Sequence, residues 1–199
     1  MFGLPISTEI KKQLPKKAIY AKFELKSSQR ESFDADIARI DIVAVISQTT
    51  LPALNAGDLV KEFYVLDIQL KHKEYDEKNI SLLTKLIPQK LVFALRYEQE
   101  VQFAVFHTKF FFSAWQDADE AILSLSGLSL DTVWENLVKD IGQIDVSEGN
   151  TLSEQIITND KQEKLKALIA TLERKMVKER QPRRKREYFE QIKKLKEQL

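Results

Sequence analysis

From Ile40 to Ile46 and again over residues 61–71 the apolar residues of this chain recur at every second position, whereas beyond Thr151 they recur at every third or fourth. Period two is the signature of strands and period 3.6 that of helices, so the change divides the chain into a sheet-forming part and a helical tail. Ile40, Ile42, Ala44 and Ile46 lie on one strand face, opposite Arg39, Asp41, Val43 and Val45. Residues 61–71 repeat the alternation, with Tyr64, Leu66, Ile68 and Leu70 against Phe63, Val65, Asp67, Gln69 and Lys71. Residues 90–97 and 100–106 flank the polar pair Glu98 and Gln99 and predict a hairpin. The expected class is α+β: a small mixed or antiparallel sheet with flanking helices, followed by a C-terminal helical hairpin or coiled-coil-like tail.

Around these strands the signals are shorter. A helix is expected from Ser7 or Thr8 to just before Pro15, and a strand over residues 18–25. Between the strand pair and the hairpin, a loop runs through Pro52 and Gly57, and Asn79 can cap a helix carrying Leu82, Leu83 and Leu86 that Pro88 ends. Phe110, Phe111, Phe112 and Trp115 read as core or interface packing. Asp131 is expected to cap a helix bearing Val133, Trp134, Leu137, Val138 and Ile141, with Gly142 as its stop.

The tail opens with Thr151-Leu-Ser-Glu154, the spacing of a capping box. Leu165, Leu168, Ile169, Leu172 and Met176 then form one stripe, and Tyr188, Ile192, Leu195 and Leu199 a second, with Pro182 between them. Proline is tolerated in the first turn of a helix and not in its interior, so a hairpin or sharply bent helix is expected, the alternative being a long kinked helix that dimerises. Leu165, Leu168, Leu172, Ile192 and Leu195 are the candidates for helix packing or oligomerisation. The expected division is residues 1–147 and 148–199.

Charge follows the same division. Residues 160–199 hold 14 Lys and Arg against 7 Asp and Glu, and the preceding 159 hold 17 against 23. A near-neutral total therefore hides an acidic body and a basic tail, a segregation that solubility alone does not require. Within the tail, Arg180, Arg183, Arg184, Lys185 and Arg186 put five cations in seven residues. Such a cluster can neutralise phosphates and release counterions without reading a base. The competing readings are a solvated hinge paired with Glu179, Glu187 and Glu190, and a contact for an acidic protein.

Asp67, Gln69 and Lys71 share a strand face, with Asp41 on a neighbouring strand. The set loosely resembles the metal-holding strand of restriction-endonuclease-like nucleases, although Gln69 stands where a charged ligand would serve better and a polar strand face is what a one-sided sheet presents to water. His72 and His107 read as surface histidines. With no cysteine and only five scattered glycines, the chain has no thiolate zinc site, disulfide or phosphate-cradling loop, and G-x-S-x-G and H-E-x-x-H are missing as well. No catalytic residue, metal or cofactor is expected. There is no long apolar run and no leader pattern at the start, so a cytoplasmic protein without membrane contact is expected.

FGLP at Phe2–Pro5, LPKK at Leu14–Lys17, the segment from Ile87 to Trp115 and that from Lys178 to Leu199 together resemble the bacterial domain-of-unknown-function 4391 family. The resemblance implies an accessory part in DNA processing or phage defence, because members are often encoded beside DNA methyltransferases and helicases in restriction-like islands. It brings no catalytic residue with it. Three functions are therefore carried forward: a non-enzymatic adaptor that packs against a helicase or methyltransferase subunit and whose charged tail self-associates or contacts nucleic acid, a metal-dependent nuclease using Asp41, Asp67, Gln69 and Lys71, and a homo-oligomeric scaffold with no nucleic-acid role.

Overall fold

The period-two segments pair into one open, mixed sheet. The computed structural model describes residues 1–198, so Leu199, the last member of the second tail stripe, lies outside the described residues. Two units are distinct, Met1–Asp145 and Val146–Leu199. In the first, strands β1 (Glu9–Gln13), β2 (Ile37–Ser47), β3 (Glu62–Leu70), β4 (Lys90–Tyr97), β5 (Glu100–Phe106) and β6 (Phe110–Phe112) lie in sequence order, and β7 (Gln116–Asp117) also pairs with β5. Pairing is antiparallel except between β3 and β4, which run parallel across helix α3 (Glu77–Leu86). That crossover is what a parallel neighbour demands, since a tight turn cannot return the chain to the same end of the sheet.

One layer is built on Ile40, Ile42, Leu66, Ile68, Phe93 and Leu95, which pack with Ile19 of α1 (Lys16–Lys22), Phe33 of α2 (Ser27–Asp36) and Ile80 and Leu83 of α3. Phe63, on the other face, meets Trp134 of α4 (Leu130–Gly142) edge-on, with ring centres 5.5 Å apart. Phe63 and Val65 are therefore as buried as Leu66 and Ile68, and β3 is not the one-sided strand its alternation suggests. A register shift on β2 reconciles the two layers. Ile42 stands opposite Leu66, but Ala44 stands opposite Val65, so Val43 is an extra residue and the strand changes face there. Ile40 and Ile42 consequently belong to the α1–α3 layer, while Ala44 and Ile46 share the layer of Val65 and Phe63.

The N-terminal expectations are reversed. Residues 6–8 form a 3₁₀ turn, Glu9–Gln13 is the edge strand β1, and helix α1, Lys16–Lys22, takes the place of the first part of the strand expected over residues 18–25. Pro15 ends one element and opens the next. Ile19, Tyr20 and Phe23 reach the core from one side of that helix, and the i, i+4 spacing of Ile19 and Phe23 is the helical signal that the alternation masked. Two helices begin earlier than their expected caps. Asp76, not Asn79, caps α3, its side chain accepting from the Lys78 N–H. Ser129, not Asp131, caps α4, and α4 closes on Gln143 in the left-handed region with φ 48°.

In the second unit the capping box forms as spaced: Thr151 accepts from the Glu154 N–H and the Glu154 carboxylate accepts from the Thr151 N–H. Helix α5 runs Leu152–Lys178, and α6 runs Pro182–Lys196 with the proline in its first turn, giving a helical hairpin. Ile169, Leu172 and Ile192 are buried between the two helices, joined by Met176, Tyr188 and Leu195.

Candidate functional site

Each unit carries a concentration of charged side chains. In the first, Asp41 of β2 stands directly opposite Asp67 of β3, and Arg96 occupies the adjoining β4. The two carboxylates face the same side of the sheet, and each is held by an arginine. Arg39 meets Asp41 through Nε at 2.5 Å and Nη2 at 2.9 Å, and Arg96 meets Asp67 through Nη2 at 2.6 Å. Arg96 also lies over the Phe2 ring, 5.8 Å from its centre. The result is a charge ladder, Arg39–Asp41–Asp67–Arg96, across three strands, in which two neighbouring carboxylates are flanked by arginines.

Burial pushes the Asp67 carboxyl above its ordinary value, the Arg96 charge and hydrogen bond pull it back, and the neighbouring Asp41 raises it again. A cavity of about 440 Å³ opens beside the ladder, lined by Glu9, Ile10, Lys11, Arg39, Asp41 and Asp67 among others. Gln69 is exposed, and Lys71 turns away so that its Nζ donates to the Asp34 carbonyl at 2.5 Å. The structure thus joins Asp41 to Asp67 and separates Lys71 from both. Among the described residues no group of three or more His, Asp or Glu side chains has metal-holding geometry. His72 is exposed, but His107 is half-buried, and burial followed by the Lys90 charge lowers its basicity against the opposing pull of Glu135.

In the second unit the five cations occupy the turn and the first turns of α6. Arg180, Arg183, Arg184, Lys185 and Arg186 are all exposed. Arg183 reaches Glu187 at 3.5 Å with its side chain 94% exposed, and Arg184 lies close enough to Glu179 to help hold that carboxyl below its usual range, after the larger influence of the Gln181 N–H. No acidic residue stands in the first turn of α6. Cations are therefore gathered at the end of a helix that is already electropositive, where they oppose the helix dipole.

The five packing candidates take different places. Leu172 and Ile192 are buried in the seam and Leu195 packs against it, Leu165 is half-buried, and Leu168 is 47% exposed. Ile169 fills the seam in Leu168's stead. Helix α6, with 15 residues, is about 22 Å long and α5, with 27, about 40 Å, so α6 cannot cover all of α5. Leu165 and Leu168 line, with Ile157, a shallow cavity of about 490 Å³ along α5.

The sequence placed Arg39, Asp41 and Asp67 on polar strand faces but did not find Arg96. Its partnership depends on the parallel register of β3 and β4, for which the only visible hint was a helical segment lying between two strands.

These features define a two-part protein, an α+β sheet unit joined to a basic helical hairpin, with no helix among the described residues long and apolar enough to cross a membrane. The family model of Domain of unknown function (DUF4391) matches residues 2–199, and the chain belongs to that family. No curated protein and no solved structure matches it.

Proposed function

We propose that the chain is a non-enzymatic accessory protein of a bacterial DNA-processing or phage-defence system, whose basic hairpin contacts nucleic acid beside a helicase or methyltransferase subunit. The observation that carries this reading is the exposed cluster Arg180, Arg183, Arg184, Lys185 and Arg186 at the turn between α5 and α6. Its placement against the helix dipole costs stability, and an anion held there would offset that cost. The enzyme partner is inferred from the genomic company kept by the family. The adaptor reading over the nuclease is supported by Asp41 and Asp67, each engaged by an arginine whose displacement a metal would require.

The test is the salt dependence of binding to DNA and RNA oligonucleotides, together with co-purification of tagged protein from its host with and without nuclease treatment. Each phosphate contact contributes roughly 0.7 to 0.9 to the slope of log affinity against log salt, so changing Arg183, Arg184, Lys185 and Arg186 together to Gln is expected to flatten the slope by about three. Wild-type protein that binds no nucleic acid at low salt removes the nucleic-acid role. Magnesium-dependent cleavage lost in Asp67→Ala, with the fold retained, replaces the adaptor by the nuclease.

A further inference from the structure

Phe189 of α6 is 56% exposed, although the helix has a seam in which other apolar residues pack. At about 100° per residue it lies about 100° around the helix from Tyr188, which packs in the seam. By the same geometry Lys185, Arg186, Lys193 and Lys196 all fall within about 60° of Phe189, whereas Glu187 and Glu190 fall about 160° and 100° away. The acids of α6 nearest to Phe189 in sequence are thus kept off its stripe, and four cations surround one exposed ring. From Lys185 to Lys196 the stripe extends about 16 Å along the helix. Lys185, Arg186 and Lys193 are exposed, and Lys196 is anchored by Glu173 at 2.9 Å.

We infer that this stripe binds single-stranded nucleic acid, with Phe189 stacking on an unpaired base while Lys185, Arg186 and Lys193 contact the flanking phosphates. This inference rests on the nucleic-acid role proposed above and adds strand preference to it. A flat aromatic face among cations suits a strand whose bases are free to turn outward, and it adds little against a duplex, whose bases are already stacked. An anionic membrane surface is the other acidic partner to weigh. An interfacial helix sinks a broad apolar face into the lipid boundary, and here Tyr188, Ile192 and Leu195 are already committed to the hairpin seam, leaving Phe189 as the one exposed large apolar side chain of α6.

Fluorescence anisotropy with the full chain tests this, using labelled 20-nucleotide oligo(dT) and oligo(U), a 20-base-pair duplex, and vesicles of phosphatidylserine and phosphatidylcholine. Phe189→Ala is expected to weaken binding to one or both single strands about fivefold or more, on the scale of one base stack, while leaving duplex affinity and all salt slopes unchanged. Phe189→Trp keeps or improves single-strand binding. The ring is exposed, so helicity by circular dichroism stays at the wild-type level in both variants. If Phe189→Ala binds single strands as wild type does, or loses single-strand and duplex affinity equally, the stacking role is wrong. The phosphate-binding role then still stands, provided the Gln substitutions flatten the salt slope. If Phe189→Ala releases the protein from vesicles and from no oligonucleotide, the stripe is a lipid contact. Wild-type protein that binds no oligonucleotide at low salt overturns both this inference and the function it rests on.

Discussion

Asp131 and Val60, 71 residues apart, are joined by a hydrogen bond of 2.7 Å from the Val60 N–H to the Asp131 carboxylate, which also accepts from the N–H groups of Asp58 and Leu59. One side chain in the first turn of α4 therefore satisfies three successive donors of the loop that leads into β3. Burial alone would raise this carboxyl, but the hydrogen bonds from Val60, Leu59 and Asp58 outweigh it and hold the group below its usual range. Because the folded value is lower than the unfolded one, the stabilisation is present above about pH 4 and is lost as pH falls through the depressed folded value. Asp131→Ala is expected to cost about 2 kcal/mol in urea unfolding at pH 7. Asp131→Asn should narrow the stability difference between pH 7 and pH 3. An unchanged acid limb in the Asn variant counts against the loop anchor.

Asp67 has the opposite sign. Its folded value is raised by burial more than Arg96 lowers it, so its contribution falls as pH rises from the unfolded value near 4 toward the folded one. Removing one partner still hurts, because the other charge is left partly buried. Asp67→Ala is expected to cost about 1–3 kcal/mol, discounted from the deeply buried case because the Arg96 side chain is 32% exposed. The double variant Asp67→Leu with Arg96→Met should return to within about 1 kcal/mol of wild type. Additive losses in the double-mutant cycle would show that the two residues act separately.

What the sequence could disclose follows from how local each signal is. The hairpin of β4 and β5 was legible because its turn, Glu98 and Gln99, and both apolar segments sit within seventeen residues, and Glu98 adopts the positive φ, 51°, of a tight turn. The start of α5 was legible because its cap closes within four residues. Helix α2 was not, since Phe33 is its one buried residue and no apolar period exists to read. The bulge at Val43 leaves the alternation of β2 intact and changes only which layer its ends enter, a fact held in the register with β3. For the candidate sites, the basic cluster is contiguous and therefore visible, whereas the charge ladder needs three strands in register and the Phe189 stripe needs the seam partners of α6 to be known.

The hairpin seam should be separable from the sheet. Ile192 is 5% exposed and packs with Ile169 and Leu172, so Ile192→Ala is expected to cost the hairpin about 2–4 kcal/mol. Replacing Leu172 and Leu195 together by Asp should open α5 and α6 while the β2–β5 amides keep their protection, since the seam residues lie in the second unit. Hydrogen exchange read by mass spectrometry distinguishes the two regions. Equal loss of protection in the sheet would mean that the units fold as one.

The last prediction concerns the tip of the hairpin, where the proposed function and stability pull in opposite directions. Arg183, Arg184 and Lys185 lie in the opening turn of α6, which has no acidic residue, and cations there are repelled by the helix dipole. Glutamine retains helix propensity while removing charge. The variant with Arg183, Arg184, Lys185 and Arg186 changed to Gln should therefore keep its helical signal and gain about 0.3–1 kcal/mol of hairpin stability, offset in small part by loss of the exposed Arg183–Glu187 contact. The same variant should lose nucleic-acid affinity. A hinge selected only for stability would show the reverse: pairing with Glu179, Glu187 and Glu190 would dominate, and the Gln variant would melt at a lower temperature. Thermal unfolding followed at 222 nm at low salt decides between them, because both the dipole and the ion-pair contributions are largest there.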